Sequence, residues 1–125
     1  MTDTHCHLHH PGYFEDPDGE VIAARAVGVE RILVVGVDPD DWPLAVAFAE
    51  RHKEVYAAVG WHPNACESYD RTRLPKLLHY LRHPKVVALG EIGLDRYHDF
   101  VPYTLQVQAF RDQLEIAEES GLPVI

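Results

Sequence analysis

Apolar, β-branched runs of strand length recur at Arg31–Val37, Val55–Trp61 and Val86–Leu89. Each is nearly continuous rather than alternating, the pattern of strands buried on both faces of a parallel sheet. Helical patterns lie between them. Leu44, Ala45, Phe48 and Ala49 form an apolar stripe, with Pro43 in its first turn after Asp40 and Asp41. Leu74, Leu77, Leu78 and Leu81 keep helical spacing until His83-Pro84 stops the pattern. The clearest helix runs from about Thr104 to Ser120, with Leu105, Phe110, Leu114 and Ala117 predicted inward and Gly121 at its C-terminal cap. Glu20–Val27 is a shorter helix candidate ended by Gly28, and Leu122-Pro123-Val124-Ile125 reads as the start of a further strand. Strand and helix alternate throughout, which predicts parallel strands joined by right-handed crossovers.

The strand ends share a theme. Val35-Gly36-Val37-Asp38, Val59-Gly60-Trp61-His62 and Leu89-Gly90-Glu91 each place a glycine and then a charged or metal-capable side chain where a strand runs out. In a (β/α)8 barrel the catalytic groups gather at that C-terminal rim. A full barrel takes ~250 residues, whereas this chain has 125 and shows no linker or low-complexity stretch. The expectation is a single α/β domain over residues 1–125, either a small open sheet or the first half of a larger barrel.

Composition narrows the function. Eleven Lys and Arg against twenty Asp and Glu leave a net charge of −9, so an electrostatic wrap around nucleic acid is not expected. A phosphate substrate would have to be met by a bound cation. No apolar run approaches the ~20 residues of a membrane-spanning helix, and no basic, apolar leader precedes the first motif. Cys6 and Cys66 fit no disulfide framework or zinc ribbon, which points to a reducing cytoplasm.

Asp3-Thr4-His5-Cys6-His7 is the sharpest local feature among nine histidines. Side chains alternate across a strand, so Asp3, His5 and His7 share one face and Cys6 the other. Two imidazoles at i and i+2 can grip one cation, with Asp3 orienting a ligand or capping the strand; a solvated His-rich segment is the plainer reading. Glu91 emerges at the rim of a buried strand, where an unpaired charge is costly, so a cation or an arginine such as Arg96 is its expected partner. His62 suits a metal or a phosphate contact, or is fixed by the Pro63 turn. Asp38 reads as an ordinary turn and helix-cap residue, Trp61 as core, and His52, His79, His83 and His98 receive no role. No G-x-S-x-G elbow, phosphate-binding Gly-rich loop or dinucleotide fingerprint is present. Metal-activated water is the remaining chemistry.

With these residues assembled, the chain resembles the N-terminal half of the TatD-type metal-dependent deoxyribonucleases. The resemblance rests on Asp3-Thr4-His5-Cys6-His7-Leu8, Gly60-Trp61-His62-Pro63, Gly90-Glu91-Ile92-Gly93-Leu94-Asp95, and the helix with Gln108, Phe110, Gln113, Leu114 and Ala117 before Leu122-Pro123-Val124-Ile125. It implies a (β/α)8 TIM-type barrel, of which these residues form about four βα units and the start of strand five. It also implies hydrolysis of DNA phosphodiester bonds with two divalent ions, magnesium, manganese or zinc. By carry-over, His5 and His7 hold one metal, Glu91 bridges both and is the catalytic carboxylate, and His62 contacts the metal site or substrate phosphate. Asp95 would shape the site. The sequence departs from the family at His9, where an acid is usual, and at Arg96, where an aromatic is common. Further family ligands would lie beyond Ile125, and half a barrel leaves two sheet edges open. The expectation is therefore part of a longer enzyme, or self-association that completes the barrel. Other amidohydrolase-like chemistry and an inert metal-binding or assembly fragment are the alternatives.

Overall fold

The structure is a computed structural model that describes residues 1–125. Its elements are β1 (Thr2–Cys6), α1 (Pro17–Ala26), β2 (Arg31–Gly36), α2 (Trp42–Arg51), β3 (Val55–Val59), two short 3-10 helices (Pro63–Ser68 and Arg71–Arg73), α3 (Leu74–Leu81), β4 (Val86–Leu89) and α4 (Tyr103–Ser120). All four strands pair in parallel in the order β1-β2-β3-β4. The expected fifth strand is a single parallel bridge between Leu89 and Val124. No helix is long and apolar enough to cross a membrane.

Sequential strand order settles the choice between an open sheet and a barrel. The main core packs the helices on one face, with Ile32, Val34, Val55, Ala57, Val59 and Leu89 facing Trp42, Phe48, Trp61 and Leu77. The other face carries a small cluster, Leu33, Val35, Ala58 and Ala88, flanked by Tyr56 and Ile125. This is the arrangement of the first four βα units of a (β/α)8 barrel, with helices outside and a narrow inner face.

Strands β2 and β3 end one and two residues earlier than the apolar runs suggested, because Val37 and Trp61 already belong to the rim turns. Helix α1 starts earlier than Glu20, since Asp16 accepts the Gly19 N–H at 2.9 Å and Pro17 occupies the first turn. Two inward assignments need correction. Leu44 and Leu114 are exposed, and the buried positions of their helices include Trp42 and Val46 in α2 and Gln106, Asp112, Gln113 and Ile116 in α4. The polar residues of α4 face inward because each meets a partner on the rim loops. Gln113 accepts the Trp61 N–H at 2.7 Å and donates to the Trp61 carbonyl at 3.2 Å. Gln106 accepts the Asp95 N–H at 2.9 Å and donates to the Val101 carbonyl at 3.0 Å. Asp112 receives the Tyr69 hydroxyl and the Arg71 guanidinium. Apolar periodicity is blind to such a face, so α4 fastens the loops after β3 and β4 to the barrel wall by hydrogen bonds.

Candidate metal centre

Three rim segments converge. His5 lies near the end of β1 and His7 just beyond it, their ring centroids 5.3 Å apart. Glu91 follows β4 by two residues, across a cis Gly90–Glu91 peptide. Gly90 is required by close approach: a Cβ there would lie 2.6 Å from the Ile125 carbonyl oxygen and 2.8 Å from its Cβ. The donor atoms of His5, His7 and Glu91 all lie within 4.8 Å of one another. His5 Nε2 is 3.1 Å from Glu91 Oε2, and His62 Nε2 is 3.5 Å from Oε1.

Environment separates the roles of the histidines. His7 is half-buried beside His5 and His9. Burial, then the neighbouring His5 and His9 rings, lower its pKa, which favours the neutral imidazole a cation needs. His62 is the opposite case. Its Nδ1 accepts the Asn64 N–H at 3.0 Å, so the neutral ring carries its proton on Nε2 and donates from there. Its Nε2 faces Glu91 Oε1 as a donor. The His5, His7 and Glu91 set, two imidazoles and a carboxylate, suits a divalent cation of intermediate hardness.

The remaining assignments fall into place around this cluster. Asp3 accepts the His5 N–H at 3.1 Å and so steadies the strand backbone rather than a ring. Arg96 does not pair with Glu91; its guanidinium lies over the Tyr103 ring at 4.7 Å. Asp38 accepts the N–H groups of Asp40 and Asp41, as a turn residue. Trp61 is fully buried, edge-on to Trp42. Asp95 is a loop anchor: the His98 ring and N–H, the Asn64 amide and the Tyr97 N–H all donate to it, holding its carboxyl well below the usual range. His98, given no role from sequence, is therefore part of that loop.

His9 and the His10–Tyr13 pair were also not singled out as site residues. His9, at the position of the missing acid, is buried, with Nε2 at 3.1 Å from both oxygens of Asp41. Burial raises the Asp41 carboxyl, but His9 and the Val37 N–H outweigh it and hold the pKa below its ordinary value. His9 thereby ties the segment after β1 to the turn before α2. A cavity of about 310 Å³ opens beside the cluster, lined by His7, His10, Tyr13, Val37, His62, Asn64, Ala65 and Glu91.

Residues 2–125 match the family model described as TatD related DNase. The chain is 39% identical over 125 residues to an uncharacterized metal-dependent hydrolase, YabD, of Bacillus subtilis, covering 100% of this chain and 49% of that protein. It is 33% identical over 124 residues to the 3'-5' ssDNA/RNA exonuclease TatD of Enterobacter lignolyticus, covering 99% of this chain and 48% of that one. The crystal structure of YJJV, a TatD homologue from Escherichia coli, superposes with a TM-score of 0.90 at 35% identity, over 99% of this chain and 49% of that one. The chain spans about half the length of the curated relatives it matches.

Proposed function

Because the chain belongs to the TatD related DNase family, we propose that it carries the metal-holding end of a divalent-metal-dependent hydrolase of DNA phosphodiester bonds. One observation carries this reading: two imidazoles and a carboxylate from opposite edges of the sheet meet at one point, beside a histidine set to donate. His5, His7 and Glu91 would hold divalent cations here, two in this reading, with magnesium, manganese or zinc as the candidates. Such ions, when bound, polarise phosphoryl oxygens and render water nucleophilic at neutral pH.

The chain's own groups then have defined tasks. Glu91 supplies the negative charge that balances cations at the rim. His62 donates from Nε2 to an anionic phosphoryl oxygen, its ring held in place by the Asn64 N–H. Residues 1–125 act as one domain. A reducing, cytoplasmic setting is part of this reading, on the two free cysteines; burial pushes each thiol up to about 11, so neither is a ready thiolate.

A second reading is favoured by the donor count. Three donors make an incomplete pair of ion sites, so cation binding without turnover is the alternative, with self-association along the open β1 edge completing the barrel. Cleavage of a short single-stranded DNA oligonucleotide in magnesium or manganese tests the choice. The expected result is cleavage abolished by EDTA and by Glu91→Ala. Cleavage that survives either control sinks the nuclease reading. Manganese binding by a folded chain without cleavage, with a dimer in sedimentation, moves the assignment to the second.

A further inference from the structure

Part of the cavity wall beside the metal-ligand candidates is aromatic, formed by His10 and Tyr13. Gly12, at a φ of +85°, turns the chain so that the Tyr13 ring returns onto His10, with centroids 4.2 Å apart and planes 27° from parallel. His10 is locked in that pose, since its Nδ1 donates to the Pro11 carbonyl at 3.0 Å. Tyr13 is 63% exposed, so its ring presents surface to solvent at the mouth of the cavity that holds His7, His62 and Glu91.

No Lys or Arg lines this cavity, and the chain carries a net charge of −9. Affinity for a polyanion here cannot come from counterion release by basic side chains. Stacking is the other sequence-tolerant source of affinity for unpaired bases, because every base has a π face. The cavity volume of about 310 Å³ lies at the small end for ligand sites, room for one nucleotide and not for a duplex.

We infer that Tyr13, backed by His10, is a stacking platform for one unpaired nucleobase of a single-stranded nucleic acid, next to the phosphodiester at the metal centre. This inference rests on the nuclease reading for its occupant and deepens it. It makes the site selective for frayed or single-stranded ends by geometry, and tolerant of base identity. It also makes binding insensitive to salt, since few phosphates are neutralised by side chains.

The test uses the 125-residue chain in magnesium and a phosphorothioate-linked single-stranded oligonucleotide with 2-aminopurine at its 3' end. Stacking on Tyr13 is read as fluorescence quenching. The wild-type chain and Tyr13→Phe are expected to quench and bind alike, whereas Tyr13→Ala binds roughly 5- to 150-fold more weakly, the worth of one stacked base. Raising salt from about 50 to 200 mM changes wild-type affinity by no more than about three-fold, one phosphate's share. Unchanged affinity in Tyr13→Ala, a loss in Tyr13→Phe equal to that in Tyr13→Ala, or no quenching by the wild type overturns the platform. The two readings fail separately. Cleavage of the ordinary oligonucleotide with Tyr13→Ala unimpaired in KM keeps the nuclease and removes the platform. Quenching lost in Tyr13→Ala, without cleavage by the wild type, keeps the platform and removes the nuclease.

Discussion

Gln113→Met offers a direct test of how the rim is held. Gln113 is fully buried in α4, and its amide pairs with both the N–H and the carbonyl of Trp61, at 2.7 and 3.2 Å. Methionine has nearly the same shape and fills the space, so no cavity contributes. What changes is that two buried backbone groups lose their partners. Each such orphan costs about 1–3 kcal/mol, which places the destabilisation between about 2 and 6 kcal/mol, against a total stability on the order of 5–15 kcal/mol. Urea unfolding at fixed protein concentration measures the loss as a lower midpoint with unchanged slope. Gln113→Glu keeps an acceptor for the Trp61 N–H but sets a buried carboxyl against the Trp61 and Ala109 carbonyls, so it too is expected to be destabilised at neutral pH. Both variants are expected to fall below wild type. A Met variant within about 0.5 kcal/mol of wild type, the scatter of ordinary surface changes, would refute the claim that this amide fastens the β3 rim.

Two further outcomes follow from the same physics. The Arg71 guanidinium, with the Tyr69 hydroxyl, holds the Asp112 carboxyl below its ordinary value despite burial; a carboxyl lowered on folding gives stability that is complete above the unfolded value of about 3.9 and is lost as pH falls through it toward the folded value. The urea midpoint of the wild type should therefore drop more steeply below about pH 4 than that of Asp112→Asn, and parallel profiles would discount the cluster. Gly90→Ala forces a Cβ to 2.6 Å from the Ile125 carbonyl oxygen, an overpacking expected to cost about 1–3 kcal/mol and to speed amide exchange at Ile125, which donates to the Leu89 carbonyl at 3.1 Å; exchange equal to wild type would show that the chain end gives way at no cost.

Strands and helix order were legible because parallel barrel strands are buried on both faces, and continuous runs such as Ile32–Val35 and Val55–Val59 carry that signal with no need of partners. The metal-ligand candidates were legible for a different reason: His5, His7 and Glu91 sit at strand ends, where alternation and the rim rule act on short range. Gln106, Asp112 and Gln113 were not legible as core. A polar residue goes inside only when a partner waits there, and the partners, Asp95, Arg71 and Trp61, lie 11, 41 and 52 residues away along the chain. His9 was hidden for the same reason, since its partner Asp41 is 32 residues distant. The tautomer of His62 likewise depends on the Asn64 N–H that its Nδ1 meets, which spacing alone does not record.

The contact between His5 and Glu91 has a consequence for the sheet itself. Strands β1 and β4 are its two edges in the pairing order, separated by β2 and β3. At about 4.8 Å per strand, a flat sheet would hold them some 14 Å apart, with side chains standing perpendicular and never meeting. Instead His5 Nε2 and Glu91 Oε2 lie 3.1 Å apart. The sheet must therefore curve strongly about its inner face, and the small residues there allow it: Ala58 pairs in register with Ala88, and both are buried between the edges. Larger side chains at those positions would fill the concave side and push the edges apart. The meeting of His5 with Glu91 thus depends on the curvature of the sheet, which Ala58 and Ala88 accommodate on an inner face shared with Leu33 and Val35.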